Sequence, residues 1–260
     1  MCELKTVKYG IEDRVAVITI YRPDAMNSFN AELRADLLVA FNKARNDDDV
    51  RVVVLTGEGR SFSAGADLKS GLGADEDVEK MLQTEYRPIL ECIWEMEKPV
   101  IAAVGGSAAG IGVSFALVCD LLVMAEDAFL LSPFTTISLV PDGGLNWLLV
   151  HQLGYRRAFQ LSVESERISA QRCVEFGLSN KVAPSDSLLE ETLKWAKSLA
   201  DRAPLSLAAT KKAMRHATSG SWASTFDVEA PLQANLRQSG DCVRGVTAFF
   251  MKRTAKFKGK

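Results

Sequence analysis

Apolar and polar positions fall into two regimes along the chain. Over the first two thirds, short apolar runs alternate with amphipathic stretches. Val15–Ile20 (VAVITI) and residues 50–56 (VRVVVLT) are dense in β-branched side chains and predict strands. Between them Leu33, Leu37, Leu38 and Phe41 recur at helical spacing, with Asn27 or Ser28 placed to cap that helix. Val100–Val104, Leu121–Ala125 and residues 129–132 predict three further strands, and helical patterns cover 77–96, 111–118, 143–152 and 156–163. Strands alternating with helices predict βαβ units, right-handed crossovers and a buried sheet. From Ser169 onward only helices are read, at 169–176, 187–202, 206–217, 222–238 and 241–252, with Pro184 and Pro204 as breaks. An all-helical end extends no sheet, so it is predicted to cover the core or to pack on another copy.

Two segments rich in small residues interrupt this pattern, RSFSAGADLK at 60–69 and GGSAAGIGVSFALVCD at 105–120, each after a strand-like run. Small side chains expose main-chain N–H groups, and one donor from each segment would grip a carbonyl oxygen as an oxyanion hole. The second segment runs into the helical pattern at 111–118. Its donor would therefore sit at a helix N-terminus, where unpaired N–H groups and the helix dipole favour negative charge. The plain alternative for GGSAAGIG is a close-packed strand-to-helix turn.

Composition narrows the classes. The chain has 260 residues, enough for one large domain or for a core with a helical appendage. Its net charge of −2 gives no general attraction to nucleic acid or to an anionic membrane. Lys252, Arg253, Lys256, Lys258 and Lys260 concentrate positive charge at the C-terminus, either as a solvated tail or as partners for phosphate. Cys2, Cys92, Cys119, Cys173 and Cys242 are scattered, and His151 and His216 lie far apart. Neither a disulfide framework nor a metal site is expected. The beginning, MCELKTVKYG, lacks an apolar targeting core, and no apolar run reaches the ~18 residues of a membrane span. A cytoplasmic location is expected.

The two small-residue segments, together with YRPDAMNSFN at 21–30 and GVTAFFMKR at 245–253, resemble the conserved blocks of the crotonase (enoyl-CoA hydratase/isomerase) superfamily. The resemblance implies an α/β fold, a ββα spiral core over residues 1–185 with a helical region over 186–260 used in trimerisation. It implies a homotrimer or a dimer of trimers, an acyl-CoA thioester substrate, and no permanently bound cofactor, coenzyme A being part of the substrate. On this resemblance the N–H groups of Ala66 and Ile111 are the oxyanion donors. Ala64, Ala66, Asp67, Leu68, Lys69 and Gly110 match positions along the coenzyme A groove, as does the backbone of Ala25. Arg22 is read either as a phosphate partner or as surface solvation.

Hydratases of this family use two glutamates, and the matching positions here hold Ser114 and Phe134. Water addition needs one group to activate water and another to protonate carbon, and neither residue supplies a carboxylate. A different acid stands in VPDGG (140–144): Asp142, at a step where isomerase branches of the family carry a single catalytic acid. Its apolar flank predicts a raised pKa; the alternative role is to cap helix 143–152. Glu85 is a second candidate acid, whereas Glu164, Glu166 and His151 read as surface or structural residues. The expected reaction is conversion of a 3-enoyl-CoA to a 2-enoyl-CoA. The alternatives are a hydratase-like or thioester-hydrolysing enzyme, or a catalytically weak acyl-CoA-binding protein.

Overall fold

The computed structural model describes residues 4–69 and 77–260. The chain opens with β1 (Val7–Glu12) and β2 (Val15–Ile20), an antiparallel hairpin turned through Asp13 and Arg14, both at positive φ. A 3-10 turn at Pro23–Ala25 leads to α1 (Ala31–Asn46). The cap of α1 is Asn30, whose side chain accepts from the Leu33 N–H, and not Asn27 or Ser28. Asn27 is buried and serves as a bracket instead. Its amide donates to the carbonyls of Glu58 and Ser61, 2.9 and 2.6 Å away, and its oxygen accepts from the Arg22 N–H.

The next three units share one plan. β3 (Val52–Gly57) is followed by the three-residue β4 (Ser61–Ser63) and then by helical chain from 78 to 95. That helical chain comprises α2 (Val78–Met81), a π-helical turn at Leu82–Tyr86 and α3 (Arg87–Glu95). β5 (Val100–Val104) passes to β6 (Ser107–Ala109) and α4 (Ile111–Val118). β7 (Leu121–Ala125) passes to β8 (Phe129–Leu131), a 3-10 turn at Phe134–Ile137, α5 (Leu145–Leu153) and α6 (Tyr155–Glu164). Each long strand thus joins a larger sheet, and the short strand after it joins a smaller one. This is the ββα spiral.

β9 (Ile168–Ser169) closes the small sheet in the order β4-β6-β8-β9. α7 (Ala170–Glu175) then leads to β10 (Lys181–Ala183), which completes the large sheet in the order β1-β2-β3-β5-β7-β10. The reading of everything beyond Ser169 as helical is therefore corrected: β10 pairs in parallel with β7 and does extend the sheet. Three residues with one central Val are too short to carry a strand pattern.

Four helices end the chain: α8 (Leu188–Ala200), α9 (Pro204–Ala217), α10 (Trp222–Arg237) and α11 (Gly240–Phe250). Pro204 opens α9 at its first turn, where no N–H is needed, and Pro231 lies inside α10. The core sits against the large sheet, whose strands β3 and β5 are almost wholly buried. No helix among the described residues is long and apolar enough to cross a membrane.

Candidate active site

The small-residue segments meet backbone to backbone. Gly65 has φ +93°, and a Cβ there would lie 2.8 Å from the Ala109 carbonyl oxygen and 3.4 Å from the Gly110 Cα. Any side chain at 65 would drive the segments apart. Gly112 closes the contact from the other side, where an added Cβ would meet Ser63 at 3.0 Å. Ser63 ties the segment down further, donating to the Asn27 carbonyl at 2.8 Å and accepting from the Gly65 N–H at 3.1 Å.

This packing leaves two N–H groups unused. Phe29 forms a parallel bridge with Ala66 by donating to the Gly65 carbonyl and accepting from the Asp67 N–H. Because the bridge uses the neighbours of Ala66, the N–H of Ala66 itself points to the opposite side. Ile111 is the first residue of α4, a position whose N–H has no partner within a helix. Neither N–H donates to another group among the described residues.

Asp142 arrives from the third unit. Gly143, at φ +60°, packs so closely that an added Cβ would lie 3.0 Å from both Ile111 Cγ1 and Ser114 Cβ. The Asp142 carbonyl takes two bonds, from Ser114 Oγ at 2.9 Å and from the Leu145 N–H at 3.0 Å. With the main chain pinned, the carboxylate has no such role: its Oδ1 is buried without a partner. Nor does it cap α5, whose cap residue is Gly144 and which has no side-chain cap bond. Burial raises the Asp142 pKa from 3.8 to about 6, opposed in part by a contact with its own backbone N–H.

Asp142, Gly143 and Gly144 form one edge of a cavity of about 740 Å³. The same cavity is lined by Leu82, Tyr86, Leu90 and Trp94, by Gln83, Arg87 and Glu91, and by Trp147 and Leu148 of α5. Trp94 meets Trp147 edge-on at 5.3 Å, and the Arg215 guanidinium from α9 lies 3.7 Å from the Trp94 ring centre. Phe134, in the second glutamate position, is buried and lies over Gly110.

A family model described as "Enoyl-CoA hydratase/isomerase" matches residues 10–260. The chain belongs to the enoyl-CoA hydratase/isomerase family. It is 38% identical over 255 residues to a Rhodobacter capsulatus protein named "Probable enoyl-CoA hydratase", covering 98% of each chain. It is 33% identical to the 1,2-epoxyphenylacetyl-CoA isomerase of Escherichia coli K12, covering 96% of this chain and 97% of that one. Among solved structures, an enoyl-CoA hydratase from Polaromonas sp. JS666 superposes with a TM-score of 0.92 at 36% identity, over 97% of this chain and 99% of that one. The names of these relatives divide between hydratase and isomerase, so membership of the family does not choose the reaction.

The other predicted residues of this family member fall into two groups. Arg22, Ala25, Ala64 and Asp67 come together: Ala64 N–H donates to the Met26 carbonyl, and Arg22 pairs with Asp67 at 3.0 Å while also donating to the Ser28 carbonyl. The Arg22 charge is thereby engaged within the protein, and its contact holds the Asp67 carboxyl below its ordinary pKa against the opposing effect of burial. Ala66, Leu68 and Lys69 are exposed beside them. Glu85 lies on the π-helical turn but pairs with Arg34 at 2.8 Å and does not line the cavity. His151 stacks on Trp147 at 3.8 Å and donates to its carbonyl, and Glu164 accepts from Gln160 on the surface. The basic tail is anchored through its backbone: the Lys258 and Gly259 N–H groups donate to the Asp241 carboxylate, while all five cationic side chains stay exposed. Cys2 lies outside the described residues, and no group of three or more His, Cys, Asp or Glu that could hold a metal occurs among the described ones.

Sequence reasoning missed Tyr86, Trp94 and Arg34, and had Trp147 only as part of the apolar flank of Asp142. One signal was present: Leu82, Tyr86, Leu90 and Trp94 repeat every fourth residue, which marks one face of a helix. The pattern says nothing of what that face surrounds.

Proposed function

We propose that this protein is an acyl-CoA isomerase that moves a double bond from the 3- to the 2-position of an enoyl-CoA thioester. The Ala66 and Ile111 N–H groups hold the thioester oxygen and stabilise the dienolate formed when a proton leaves the α-carbon. One such donor typically contributes ~2.7–4 kcal/mol of transition-state stabilisation. Asp142 takes that proton and returns it at the γ-carbon. A carboxylate of pKa about 6 is ionised at neutral pH yet basic enough to accept a proton.

The observation that carries this reading is the unpartnered, buried Asp142 Oδ1 in the lining of an aromatic cavity, next in sequence to Gly143, which packs on Ile111. Support also comes from Ser114 and Phe134. Ser114 spends its hydroxyl on the Asp142 carbonyl and Phe134 offers only a ring, which leaves no second carboxylate at the two hydratase positions.

On the same reading, coenzyme A lies along Arg22, Ala25, Ala64, Ala66, Asp67, Leu68, Lys69 and Gly110, and no permanently bound cofactor takes part. Residues 1–185 carry the site and 186–260 mediate assembly into a homotrimer or a dimer of trimers, in the cytoplasm. The exposure of Trp222 (82%), Phe249 (78%) and Phe250 (78%) in the single chain supports the assembly.

The test gives the purified enzyme 3-hexenoyl-CoA and crotonyl-CoA in parallel. Conjugated product should form from the first, with little or no hydration of the second. Hydration of crotonyl-CoA at roughly 1–1,000 per second, the range of ordinary enzymes, with no isomerisation of 3-hexenoyl-CoA would overturn the proposal.

A further inference from the structure

The Tyr86 side chain is 2% exposed but borders the cavity that holds Asp142. Its ring packs against the stacked pair Phe29 and Phe115, with centroids 5.8 and 6.4 Å away. Its hydroxyl oxygen accepts from Arg34 Nη1 at 3.5 Å. Arg34 is itself buried and cannot swing away, since Nε donates to Glu85 at 2.8 Å and Nη1 also reaches the Phe29 carbonyl.

A phenol that accepts from a guanidinium turns its own proton the other way, and no described group accepts that proton. The hydroxyl is also close enough to Asp142 for the carboxylate charge to act on it; burial first, and this charge among further causes, push the Tyr86 pKa up to about 12. The phenol therefore stays protonated and available as a donor throughout the neutral range. The cavity lining thus includes a residue with an unused donor, Tyr86, and a residue with an unpartnered carboxylate oxygen, Asp142.

Such a donor is poorly matched to a plain hydrocarbon chain. Filling the cavity with CH₂ groups would strip the hydroxyl of water and give it nothing to bond. An oxygen on the acyl chain restores the bond, and a site built around a buried donor rejects the analogue that lacks the acceptor.

We propose that Tyr86 is a specificity-determining residue that donates a hydrogen bond to an acceptor oxygen on the acyl chain, and that the preferred substrates are oxygen-bearing acyl-CoA thioesters. The inference rests on the acyl group occupying this cavity, as in the isomerase reading, but it does not depend on turnover.

The experiment is therefore a binding measurement. Dissociation constants of hexanoyl-CoA, 3-hydroxyhexanoyl-CoA, 4-oxohexanoyl-CoA and 5-oxohexanoyl-CoA are determined by calorimetry for the full-length protein and for Tyr86→Phe. The variant removes one oxygen and keeps both ring contacts. In the parent at least one oxygenated thioester should bind about tenfold tighter than hexanoyl-CoA, the effect of about one net hydrogen bond. In Tyr86→Phe that advantage should vanish while hexanoyl-CoA affinity stays within about twofold. Equal binding of all four ligands by the parent, survival of the advantage in the variant, or an equal loss for all four would each overturn the role. Failure of isomerisation alone, with this selectivity intact, would count against the reaction and not against Tyr86.

Discussion

The site has two halves built from different materials. The donor floor, where Gly65 faces Gly110, is made of main chain, and its precision comes from side chains that are missing. The cavity proposed for the acyl group is made of side chains: Tyr86, Trp94, Trp147 and Asp142, delivered by helices and turns distant in sequence. A floor of N–H groups can serve any reaction that builds charge on a thioester oxygen. The choice of reaction has to come from the wall, and here the wall contributes one raised carboxyl and no paired glutamates. Catalytic power common to a family can thus reside in backbone, and its diversity in a few side chains.

Removing the raised carboxyl of the wall should have the largest effect. Asp142→Asn should lower kcat for 3-enoyl-CoA isomerisation by ~100–10,000-fold, the usual contribution of a general acid–base group, with little change in affinity for a saturated acyl-CoA. The same change should stabilise the fold. Burial raises the Asp142 pKa from 3.8 to about 6, so the folded chain holds a proton that the unfolded chain has released. Stability is therefore lost as pH rises through that window, by about 3 kcal/mol once above it at ~1.4 kcal/mol per tenfold change in proton affinity. Denaturant titrations at pH 8 should show the Asn variant as the more stable protein, with the difference closing on acidification.

Next comes the floor. Gly65→Ala meets both a positive φ and the Ala109 carbonyl at 2.8 Å, so the two donors should separate. A ~100–1,000-fold loss of kcat is expected, as for an oxyanion donor, whichever acyl chain is tested. Trp94→Ala should instead alter selectivity, shifting kcat/KM by about tenfold towards bulkier acyl groups. A uniform loss over all chain lengths would show that Trp94 supports the floor and blur the division. The smallest effect should be that of Ser114→Ala, which frees the Asp142 carbonyl from one 2.9 Å bond. A single neutral hydrogen bond is worth ~1 kcal/mol, or roughly fivefold in kcat.

The sequence was legible where local composition dictates structure. The long strands β2, β5 and β7 carry enough β-branched or apolar residues to declare themselves, and the glycines of the floor mark where backbone must approach backbone. Asp142 could be found because Pro141, Gly143 and Gly144 announce a turn beside apolar neighbours. The short strands β4 and β6, made of Ser, Phe and Ala, carry no pattern of their own and exist because β3 and β5 deliver them side by side. The π-helical turn at Leu82–Tyr86 leaves no local signature, yet it belongs to the segment that sets Tyr86 against the cavity. Asn27, read as a cap, proved to be a buried bracket because its partners, Glu58 and Ser61, arrive some thirty residues later.

In the proposed reaction one carboxyl, that of Asp142 with its buried and unpartnered Oδ1, both accepts and returns the proton. The pH dependence of kcat for 3-hexenoyl-CoA isomerisation tests it most directly, because only the ionised carboxylate can begin the cycle. The rate should rise with pH through a single ionisation near the Asp142 value of about 6 and level off above it. A rate constant for isomerisation that stays level from about pH 5 to pH 8 would rule out Asp142 as the proton carrier and move the proton to another group.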